Sequence, residues 1–405
     1  MRILEAAVSG TVGTVDMGPV STVICELSNN FTLLGHEVVL ADIPSRTPRS
    51  LLSPQVRVVE IAATGESTIE AQSSNPLAAH VNRWRNYWQY IRQLRALPEY
   101  RWADVIHVHH PVPAFLLQRF HGKQACYTAH TPVWSMANPQ DRTVKSGGLK
   151  AAIRSMVSSF DVWVEKDAIR RSRSSVGLGS YLADAVPGAP VSVIPNGIDL
   201  GAWPVIERSA ARRELGIADD AFVVVFTGRI THIKGVDVLI EALATAQRRI
   251  DKLQAIVIGP LSGRFDSRDS TVEPFARSMM DKAQGLPVRF AGFINNREML
   301  YKQHLAAADL FVLPSRREPQ GLVVLEALAM GTPVIGSRTG GIPDMINEDV
   351  GYLVEPGDAA GLAACIETAH DSSRLTSMRS AARAHVEQNY GWPAIAKRYL
   401  AAFSR

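Results

Sequence analysis

The sequence predicts an α/β protein of two domains, each with a doubly wound parallel sheet covered by helices. The chain has 405 residues, which exceeds the usual length of a single domain. Hydrophobic residues make up 46% and charged residues 20%, a composition typical of a globular protein with sizeable cores. Short apolar runs alternate with longer segments of helical periodicity, and this pattern indicates parallel strands buried on both faces.

The apolar runs form two series of about six strands each, which fits two sheets better than one. In the first half the predicted strands are Ile3–Val8, Glu37–Ala41, Val56–Ile61, Asp104–His109, Ala125–Thr128, Val176–Leu178 and Val191–Ile194. In the second half they are Phe222–Thr227, Ala255–Ile258, Val288–Phe290, Leu310–Leu313, Pro333–Ile335 and Tyr352–Val354. The segment IPNGIDLGAW breaks the pattern with Pro, Asn-Gly and Gly. We therefore predict domains at 1–198 and 199–388, and a C-terminal helix at 389–405 that packs back on the first domain.

Charge and cysteine content exclude several classes of protein. Lys and Arg number 43 against 39 Asp and Glu, a net charge of +4, which gives little support for a nucleic-acid-binding protein. The N-terminus lacks the pattern of a signal peptide, and no stretch approaches the roughly 20 apolar residues of a membrane span. Cys25, Cys126 and Cys365 lie far apart in apolar segments, so we expect buried thiols in a cytoplasmic protein.

Ligands of open α/β sheets bind beyond the carboxyl ends of the strands. The polar residues that directly follow predicted strands are therefore the candidates for function. With two such domains, we expect the active site in the crevice between them.

One candidate segment is FTGRITHIKG, residues 226–235, which ends a strand and precedes a helix. It places Arg229 and Lys234 in a strand-to-helix loop, where a helix N-terminus already favours an anion. Two cations with backbone N–H groups are suited to hold a diphosphate and to stabilise charge as it leaves. The alternative is a solvated basic loop, and this segment alone does not decide between them.

A second candidate is the segment 317–341, REPQGLVVLEALAMGTPVIGSRTGG. Glu318 follows a predicted strand, and Glu326 lies about two turns into the next helix if that helix begins near Pro319. The two carboxylates are spaced to bind hydroxyl groups at two ends of one ligand, and the free N–H groups between them suit oxygen atoms. Those N–H groups belong to Gln320, Gly321, Leu322 and Val323. The alternative is that Glu318 caps the helix and Glu326 is solvated.

These elements together resemble the family 4 glycosyltransferases of the GT-B fold. The resemblance rests on Glu318-x7-Glu326, the GR-x4-KG motif at 228–235, IPNGID at 194–199 and the run 331–346. In the N-terminal half it is looser and rests on LGHEVVLAD at 34–42, DVIHVHH at 104–110 and YTAHT at 127–131.

The resemblance implies transfer of a hexose-type sugar, with retention, from a UDP- or GDP-linked donor to an acceptor hydroxyl. It further implies an N-terminal acceptor domain and a C-terminal donor domain, with domain closure about a hinge near Asn196–Gly197. By this resemblance Arg229 and Lys234 contact the diphosphate, Glu326 the ribose, and Glu318 the donor sugar. The remaining implied contacts come from the backbone at Phe293–Ile294 to the base and from His130 to the donor sugar.

The glycine loop departs from the family pattern, because the chain has Asp16–Met17–Gly18–Pro19 where the family often has two glycines. Gly18 still permits close approach of the backbone to a phosphate of the donor or to an acceptor. Pro19 is a suitable residue for the start of a helix. The chain has no GxGxxG dinucleotide motif and no Asp-x-Asp motif. The cations and helix N-termini can take the role of a divalent metal at the donor site. We favour front-face attack, in which the leaving phosphate accepts the proton of the acceptor.

Three further segments bear on metals and on the acceptor. His107, His109 and His110 alternate across a strand, and a metal site there is not expected without a carboxylate or cysteine partner. The basic aromatic segment 83–95 suits a membrane surface or a sugar, but a helix that packs its aromatic residues on the domain is favoured. The basic stretch Lys145–Arg173 suits an anionic acceptor, although solvated helix faces explain it equally well.

We therefore predict a retaining glycosyltransferase that uses a nucleotide sugar. Its acceptor is a small molecule, an oligosaccharide or a lipid-linked compound, with no nucleic acid, no metal and no favoured membrane contact. The alternatives are a nucleotide-sugar epimerase and a non-catalytic nucleotide-sugar-binding subunit. Acceptor-dependent product formation separates transfer from epimerisation.

Overall fold

The computed structural model describes residues 1–15, 17–62, 76–120, 125–136, 149–262 and 271–405. The chain divides into two compact units. The first unit comprises Met1–Gly197 together with Trp392–Arg405, and the second comprises Ile198–Gly391. Ile198 pairs with Gly391 in a parallel bridge, so the two points where the chain passes between units are adjacent.

The first unit is built on a parallel sheet of seven strands. They are β1 (Arg2–Ala6), β2 (Glu37–Asp42), β3 (Arg57–Glu60), β4 (Val105–Val108), β5 (Cys126–Ala129), β6 (Ser174–Gly177) and β7 (Val191–Val193). Their order is β3-β2-β1-β4-β5-β6-β7, and every neighbouring pair is parallel. The strand order reverses between β1 and β4, and such a switch point is where doubly wound sheets bind ligands.

The helices of the first unit cover both faces of this sheet. They are α1 (Pro19–Leu33), α2 (Pro76–Ala96), α3 (Pro98–Trp102), α4 (Pro111–Phe120), α5 (Val133–Met136), α6 (Leu149–Arg171) and α7 (Tyr181–Ala185). Four of them begin at a proline, the residue whose missing N–H and fixed φ suit the first helical position. The C-terminal helix α15 (Trp392–Phe403) belongs to the same unit and packs against α1.

The second unit is built on a parallel sheet of six strands in the order β10-β9-β8-β11-β12-β13. The strands are β8 (Phe222–Thr227), β9 (Leu253–Ile258), β10 (Val288–Gly292), β11 (Leu310–Leu313), β12 (Val334–Ser337) and β13 (Gly351–Val354). The helices are α8 (Arg208–Leu215), α9 (Val236–Ala246), α10 (Pro274–Lys282), α11 (Met299–Ala307), α12 (Leu322–Ala329), α13 (Ala359–Asp371) and α14 (Arg374–Asn389).

The two doubly wound sheets confirm the predicted fold class, and each apolar run named from the sequence contains or overlaps a strand. Phe222–Thr227 and Leu310–Leu313 match to the residue. The other strand ends differ from the predicted ones by a few residues, because hydrogen bonding rather than apolarity decides where a strand ends. Cys25 and Cys126 are buried free thiols, and burial raises the pKa of each to about 12. Cys365 is only half-buried.

A buried ion pair fixes the start of β11 against β8. Asp309 accepts hydrogen bonds from Arg212 and from the backbone N–H of Val223, both at 2.7 Å. The Arg212 guanidinium also donates to four backbone carbonyls, so this fully buried cation is well satisfied. Because removal of one partner leaves a buried charge unpaired, the pair aligns the two central strands of the second sheet.

A second buried polar network lies in the sheet of the first unit. Glu5 of β1 pairs in register with His107 of β4, and its carboxylate contacts His107 Nδ1 at 3.0 Å and His109 Nε2 at 2.6 Å. His109 Nδ1 lies 3.0 Å from His130 Nε2, and His107 Nε2 lies 2.8 Å from the Thr128 hydroxyl. All five side chains are buried.

Burial and the two imidazoles act in opposite directions on the pKa of Glu5. Burial raises the pKa of Glu5, but His107 and His109 outweigh it and hold that pKa at about 2. Burial lowers the pKa of His109 to about 4 and that of His130 well below its usual value. At neutral pH, Glu5 is therefore ionised while His109 and His130 are neutral.

This network predicts that the first unit loses stability as the pH falls below 6.5. His109 takes up a proton near pH 6.5 when unfolded but only near pH 4 when folded, so the unfolded state binds more protons between these values. The contribution of His109 is fully present above pH 6.5 and is lost by pH 4, a loss of about 3 kcal/mol. Urea unfolding between pH 7 and 4.5 measures it.

The matched variants are His109→Gln in the network and His370→Gln on the half-exposed end of α13. The first is expected to flatten the pH dependence of the free energy of unfolding, and the second to leave the effect of the network in place. Parallel pH curves for wild type and His109→Gln would contradict the assignment.

Candidate active site

The loop that follows β8 carries the two cations singled out in the sequence. It continues into a 3-10 turn at His232–Lys234, and Gly235 then takes a left-handed conformation with φ 71° before α9 begins. A Cβ at Gly235 would lie 2.0 Å from the carbonyl oxygen of Pro314. A glycine is therefore required where this loop meets the loop that follows β11.

Lys234 and Glu318 form an ion pair between these two loops. The Lys234 ammonium donates to Glu318 Oε2 at 2.5 Å, and the side chains are 19% and 8% exposed. The N-cap of helix α12 is Gly321, which has no side chain, and in the described part of the chain no N–H group of this helix donates to Glu318, so the alternative in which Glu318 caps that helix is not observed. The carboxylate faces the cationic loop of the neighbouring strand instead.

A second ion pair braces the same loops and was not anticipated from the sequence. Arg316 donates two hydrogen bonds to the carboxylate of Asp237, at 2.7 and 2.8 Å, and one to the carbonyl of His232 at 2.9 Å. The backbone N–H of Arg316 also bonds the carbonyl of Ile233. The 3-10 turn that carries Lys234 is thus fixed to the loop that carries Glu318.

Arg229 lies at the start of the loop and is half-buried. Within the described ranges, no side chain or carbonyl accepts a hydrogen bond or ion pair from its guanidinium. As far as the structure describes the chain, the loop therefore holds one cation that is engaged by Glu318 and one without an acceptor. Lys234 is thus ion-paired and not simply solvated, whereas a contact of Arg229 with a diphosphate stays a prediction.

Glu326 is buried within α12, so the alternative of a solvated carboxylate is wrong. It accepts hydrogen bonds from the Tyr301 hydroxyl at 2.7 Å and from the Asn296 amide at 2.9 Å. Tyr301 in turn lies 3.0 Å from the hydroxyl of Thr227 at the end of β8. Burial raises the pKa of Glu326, and the two hydrogen bonds oppose that rise.

Helix α12 begins at Leu322, not near Pro319 as expected, because Gly321 has φ 88° and cannot be helical. Glu326 therefore lies about one turn into the helix. The N–H groups of Leu322 and Val323 open that helix, and both residues are half-buried. Gln320 is buried, and its amide contacts the sulfur of Met345 at 3.8 Å, so its side chain is directed into the protein.

The segment after β10 carries the residues expected at the nucleotide base. Ile294 is buried in the apolar core and Phe293 is half-buried. Asn296, two residues further on, donates to Glu326. The structure thus brings this segment together with Glu326, while a base contact by the backbone of Phe293 and Ile294 stays a prediction.

In the first unit, His130 directly follows β5 and is buried against His109. Gly18 precedes α1 with open space around its Cα, and Asp16 lies outside the described residues. The roles assigned to His130 and Gly18 stay predictions.

Sequence reasoning missed Glu5, which supplies the carboxylate that the histidines of the neighbouring strand seemed to lack. Glu5, His107 and His109 offer three ligand atoms within 4.8 Å of one another, a set that could hold a metal ion. The distance of 2.6 Å from His109 to Glu5 is that of a charge-assisted hydrogen bond. A signal was present, since Glu5 is the one charged residue inside the apolar run Ile3–Val8.

The two basic segments fold as helices. In α2, Tyr87 and Tyr90 are buried in the core as favoured, while Trp88 is 44% exposed. The described part of the stretch Lys145–Arg173 is α6 and the residues after it, and residues 145–148 lie outside the described ranges. Contacts of either segment with a membrane or an acceptor stay predictions. No helix in the described ranges has the length and apolarity that a bilayer-spanning helix needs.

Comparison with known proteins finds a family model that matches each of the two units. The family model described as "Glycosyltransferase Family 4" matches residues 20–202, and that described as "Glycosyl transferases group 1" matches residues 207–385. The two models match consecutive parts that together span most of the chain.

Similar proteins align with this chain over nearly its full length. The chain is 28% identical to a glycogen synthase of Mycobacterium tuberculosis, with 99% of this chain and 95% of the relative aligned. It is 29% identical to a D-inositol 3-phosphate glycosyltransferase of Geodermatophilus obscurus, over 97% and 86%. The solved sucrose-phosphate synthase of Thermosynechococcus elongatus shares the fold, with a TM-score of 0.75, 22% identity and coverage of 100% and 98%. The chain belongs to the family 4 glycosyltransferases of the GT-B fold, enzymes that transfer a sugar from a nucleotide-sugar donor.

Proposed function

We propose that the enzyme moves a hexose from a UDP- or GDP-linked donor to a hydroxyl group of its acceptor, with retention at the anomeric carbon. The observation that supports this most is the pairing of Lys234 with Glu318 across the carboxyl ends of β8 and β11, on the loop that also carries Arg229, for which the described residues supply no acceptor. Cations there suit a diphosphate, and a carboxylate paired with one of them suits the hydroxyl groups of the attached sugar.

Other groups near the ends of these strands suit the ribose and the phosphate oxygens of the proposed donor. Glu326 uses its two oxygens to accept from Tyr301 and Asn296, but an ionised carboxylate has about four acceptor positions. Two positions remain for the paired hydroxyls of a ribose. The N–H groups of Leu322 and Val323 at the start of α12 add donors for phosphate oxygens, although Gly321 and Gln320 contribute through backbone only.

In the proposed reaction, the bond from the anomeric carbon to the diphosphate oxygen breaks while the acceptor oxygen bonds to the same face of that carbon. The proton of the acceptor passes to the departing phosphate oxygen. Arg229 and Lys234 stabilise the charge that develops on the diphosphate, which is the role that a divalent metal would otherwise take. Glu318 is ion-paired with Lys234, so it is better placed to bind the sugar than to attack it.

The acceptor is proposed only as a hydroxyl compound. The two relatives described above, at nearly equal identity, carry names that point to a glucan and to an inositol phosphate. Small molecules, oligosaccharides and lipid-linked compounds all stay within the proposal.

Calorimetric titration with UDP, GDP and ADP in metal-free buffer tests the donor site. We expect one of UDP and GDP to bind, because the proposed cations supply the diphosphate contacts without a metal. Binding of one base restricts the donor to sugars linked to that base. If none of the three binds, the proposed diphosphate site is wrong.

Lys234→Ala is expected to weaken binding of the nucleotide and of inorganic pyrophosphate alike, by about 10- to 100-fold. A hydrogen bond to a charged group contributes about 1.5–3 kcal/mol. Isothermal titration measures both ligands, and circular dichroism checks that the fold is retained. Lys282→Ala, at the exposed end of α10, is the matched control. Unchanged pyrophosphate affinity in Lys234→Ala would remove this lysine from the site.

Glu326→Gln is expected to weaken the nucleotide by about 10-fold or more while leaving pyrophosphate unchanged. The reason is that the amide keeps one acceptor oxygen but loses the charge that strengthens bonds from ribose hydroxyls. Glu241→Gln, exposed on α9, is the control. Equal losses for nucleotide and pyrophosphate would show that the substitution disturbs the loop and not a ribose contact.

A further inference from the structure

Three helices of the first unit expose a connected set of aromatic side chains. Helices α2, α4 and α6 contact one another, and their inward side chains share one core cluster, whereas α1 and α15 belong to another. The rings of six residues on these three helices form a chain of contacts, with neighbouring centroids 5.5–6.1 Å apart: Trp88, Phe120, Phe115, Trp163, Phe160 and Trp84. We call these six residues the aromatic cluster.

The outer side of the aromatic cluster is open to solvent. Four of its residues are 42–58% exposed: Trp88, Phe120, Phe160 and Trp163. Residues four or seven apart share one face of a helix, so the exposed Leu77 and Val81 continue the face of α2 that carries Trp88. The exposed Met156 does the same for Phe160 on α6. A connected apolar surface of this kind marks a place where a partner binds.

The same three helices carry an excess of positive charge. Together they contain ten Lys and Arg against three Asp and Glu, a formal net charge of +7, whereas the rest of the chain has 33 against 36, a net charge of −3. In α2, Arg92 and Arg95 follow Trp88 by four and seven residues, which places them on its face of the helix. In α6, Arg170 follows Trp163 by seven residues. All three arginines are exposed.

The acidic residues of these helices are engaged within the protein. Glu165 is buried. Asp161 and Asp167 accept hydrogen bonds from Arg83 and Arg171, at 3.1 and 2.9 Å. The surface around the aromatic cluster is therefore both apolar and cationic.

We propose that the aromatic cluster and the exposed arginines beside it bind the surface of a bilayer that contains anionic lipid. Trp and Phe side chains enter the boundary between headgroups and acyl chains, and arginines are attracted by anionic headgroups. The two interpretations of the segment 83–95 then apply to opposite sides of α2, since Tyr87 and Tyr90 pack inward while Trp88 is exposed. The proposal does not depend on the donor site.

Two other partners fit this surface less well. A second copy of the chain would bring two faces with the same net charge of +7 together, and like charges across an interface oppose association. A nucleic acid would match the charge, and aromatic rings can stack on its bases. It offers nothing to the exposed side chains of Leu77, Val81 and Met156, which a bilayer takes in with the aromatic rings.

Flotation of the full chain with vesicles tests the proposal directly. We expect binding to vesicles of phosphatidylcholine with phosphatidylglycerol, and much weaker binding to phosphatidylcholine alone, because the anionic lipid supplies the electrostatic attraction. Added salt should weaken the binding, since it screens that attraction. Absence of binding to the anionic vesicles would overturn the proposal, and this result does not depend on how any variant folds.

Tryptophan fluorescence distinguishes insertion from adsorption. Vesicles of the same composition whose acyl chains carry bromine atoms should quench the wild-type protein, and should quench the double variant Trp88→Phe/Trp163→Phe less. Phenylalanine keeps the surface apolar, so this variant should still bind. Vesicle binding without quenching would show attraction by charge alone and would overturn the role of the aromatic cluster.

Paired variants separate the apolar and the charged parts. Trp88→Ser/Trp163→Ser is expected to bind the anionic vesicles at least about 10-fold more weakly. Its control is Leu33→Ser, at an exposed residue of α1. Arg92→Gln/Arg95→Gln is expected to bind about 10- to 30-fold more weakly. Its control is Arg213→Gln/Arg248→Gln, which removes the same charge from exposed positions of the second unit. Circular dichroism checks the fold of each variant.

The alternative partners give different results. If a second copy occupies the surface, analytical ultracentrifugation without lipid should show a dimer that Trp88→Ser/Trp163→Ser dissociates, and this would overturn the proposal. If a nucleic acid occupies it, single-stranded DNA should bind the wild type, release it from vesicles and bind the same variant weakly, which would also overturn it. Equal vesicle binding by the arginine variant and its control would remove these arginines from the surface.

Discussion

Parallel pairing of strands is the constraint on which the candidate site depends, because it brings the carboxyl ends of neighbouring strands to one edge. In the second unit β8 and β11 are neighbours, so the loops that follow them meet and Lys234 reaches Glu318. In the first unit β1, β4 and β5 are neighbours, so Glu5, His109 and His130 meet although they lie far apart in the sequence. Local sequence provides the side chains, and the strand order decides which of them touch.

The buried carboxylates of Asp309, Glu5 and Glu326 each have different hydrogen-bond partners, and these partners suit each carboxylate to a different role. Asp309 is matched by the buried Arg212 and a backbone N–H, so it has a structural role. Glu5 faces two imidazoles that must donate to it. Glu326 is met only by neutral donors, Tyr301 and Asn296, which leaves its charge uncompensated by any cation in the described part of the chain. A neutral ligand with several hydroxyl groups is the kind of partner that such a carboxylate binds well.

The sequence predicted the fold well because apolar runs identify buried parallel strands directly, and runs such as Leu310–Leu313 match to the residue. It also singled out Arg229, Lys234, Glu318 and Glu326, whose roles toward a donor stay predictions, although the structure does bring Lys234 and Glu318 together. It could not predict the pairs Arg316–Asp237 and Glu5–His109, because these contacts join strands through the three-dimensional order of the sheet. The start of α12 was misplaced because Gly321 adopts a left-handed conformation that the letters GL do not reveal.

The ion pair of Lys234 with Glu318 has a consequence for catalysis. In the ligand-free structure, Lys234 is paired with the Glu318 carboxylate, while Arg229 has no acceptor among the described residues. In the proposed donor site, a diphosphate would meet both Lys234 and Arg229, and Lys234 would then be shared between Glu318 and the phosphate. In the proposed reaction, negative charge on the departing phosphate would draw the lysine further from Glu318. The stabilisation would then grow as the bond to the sugar breaks, which is the differential binding that accelerates a reaction.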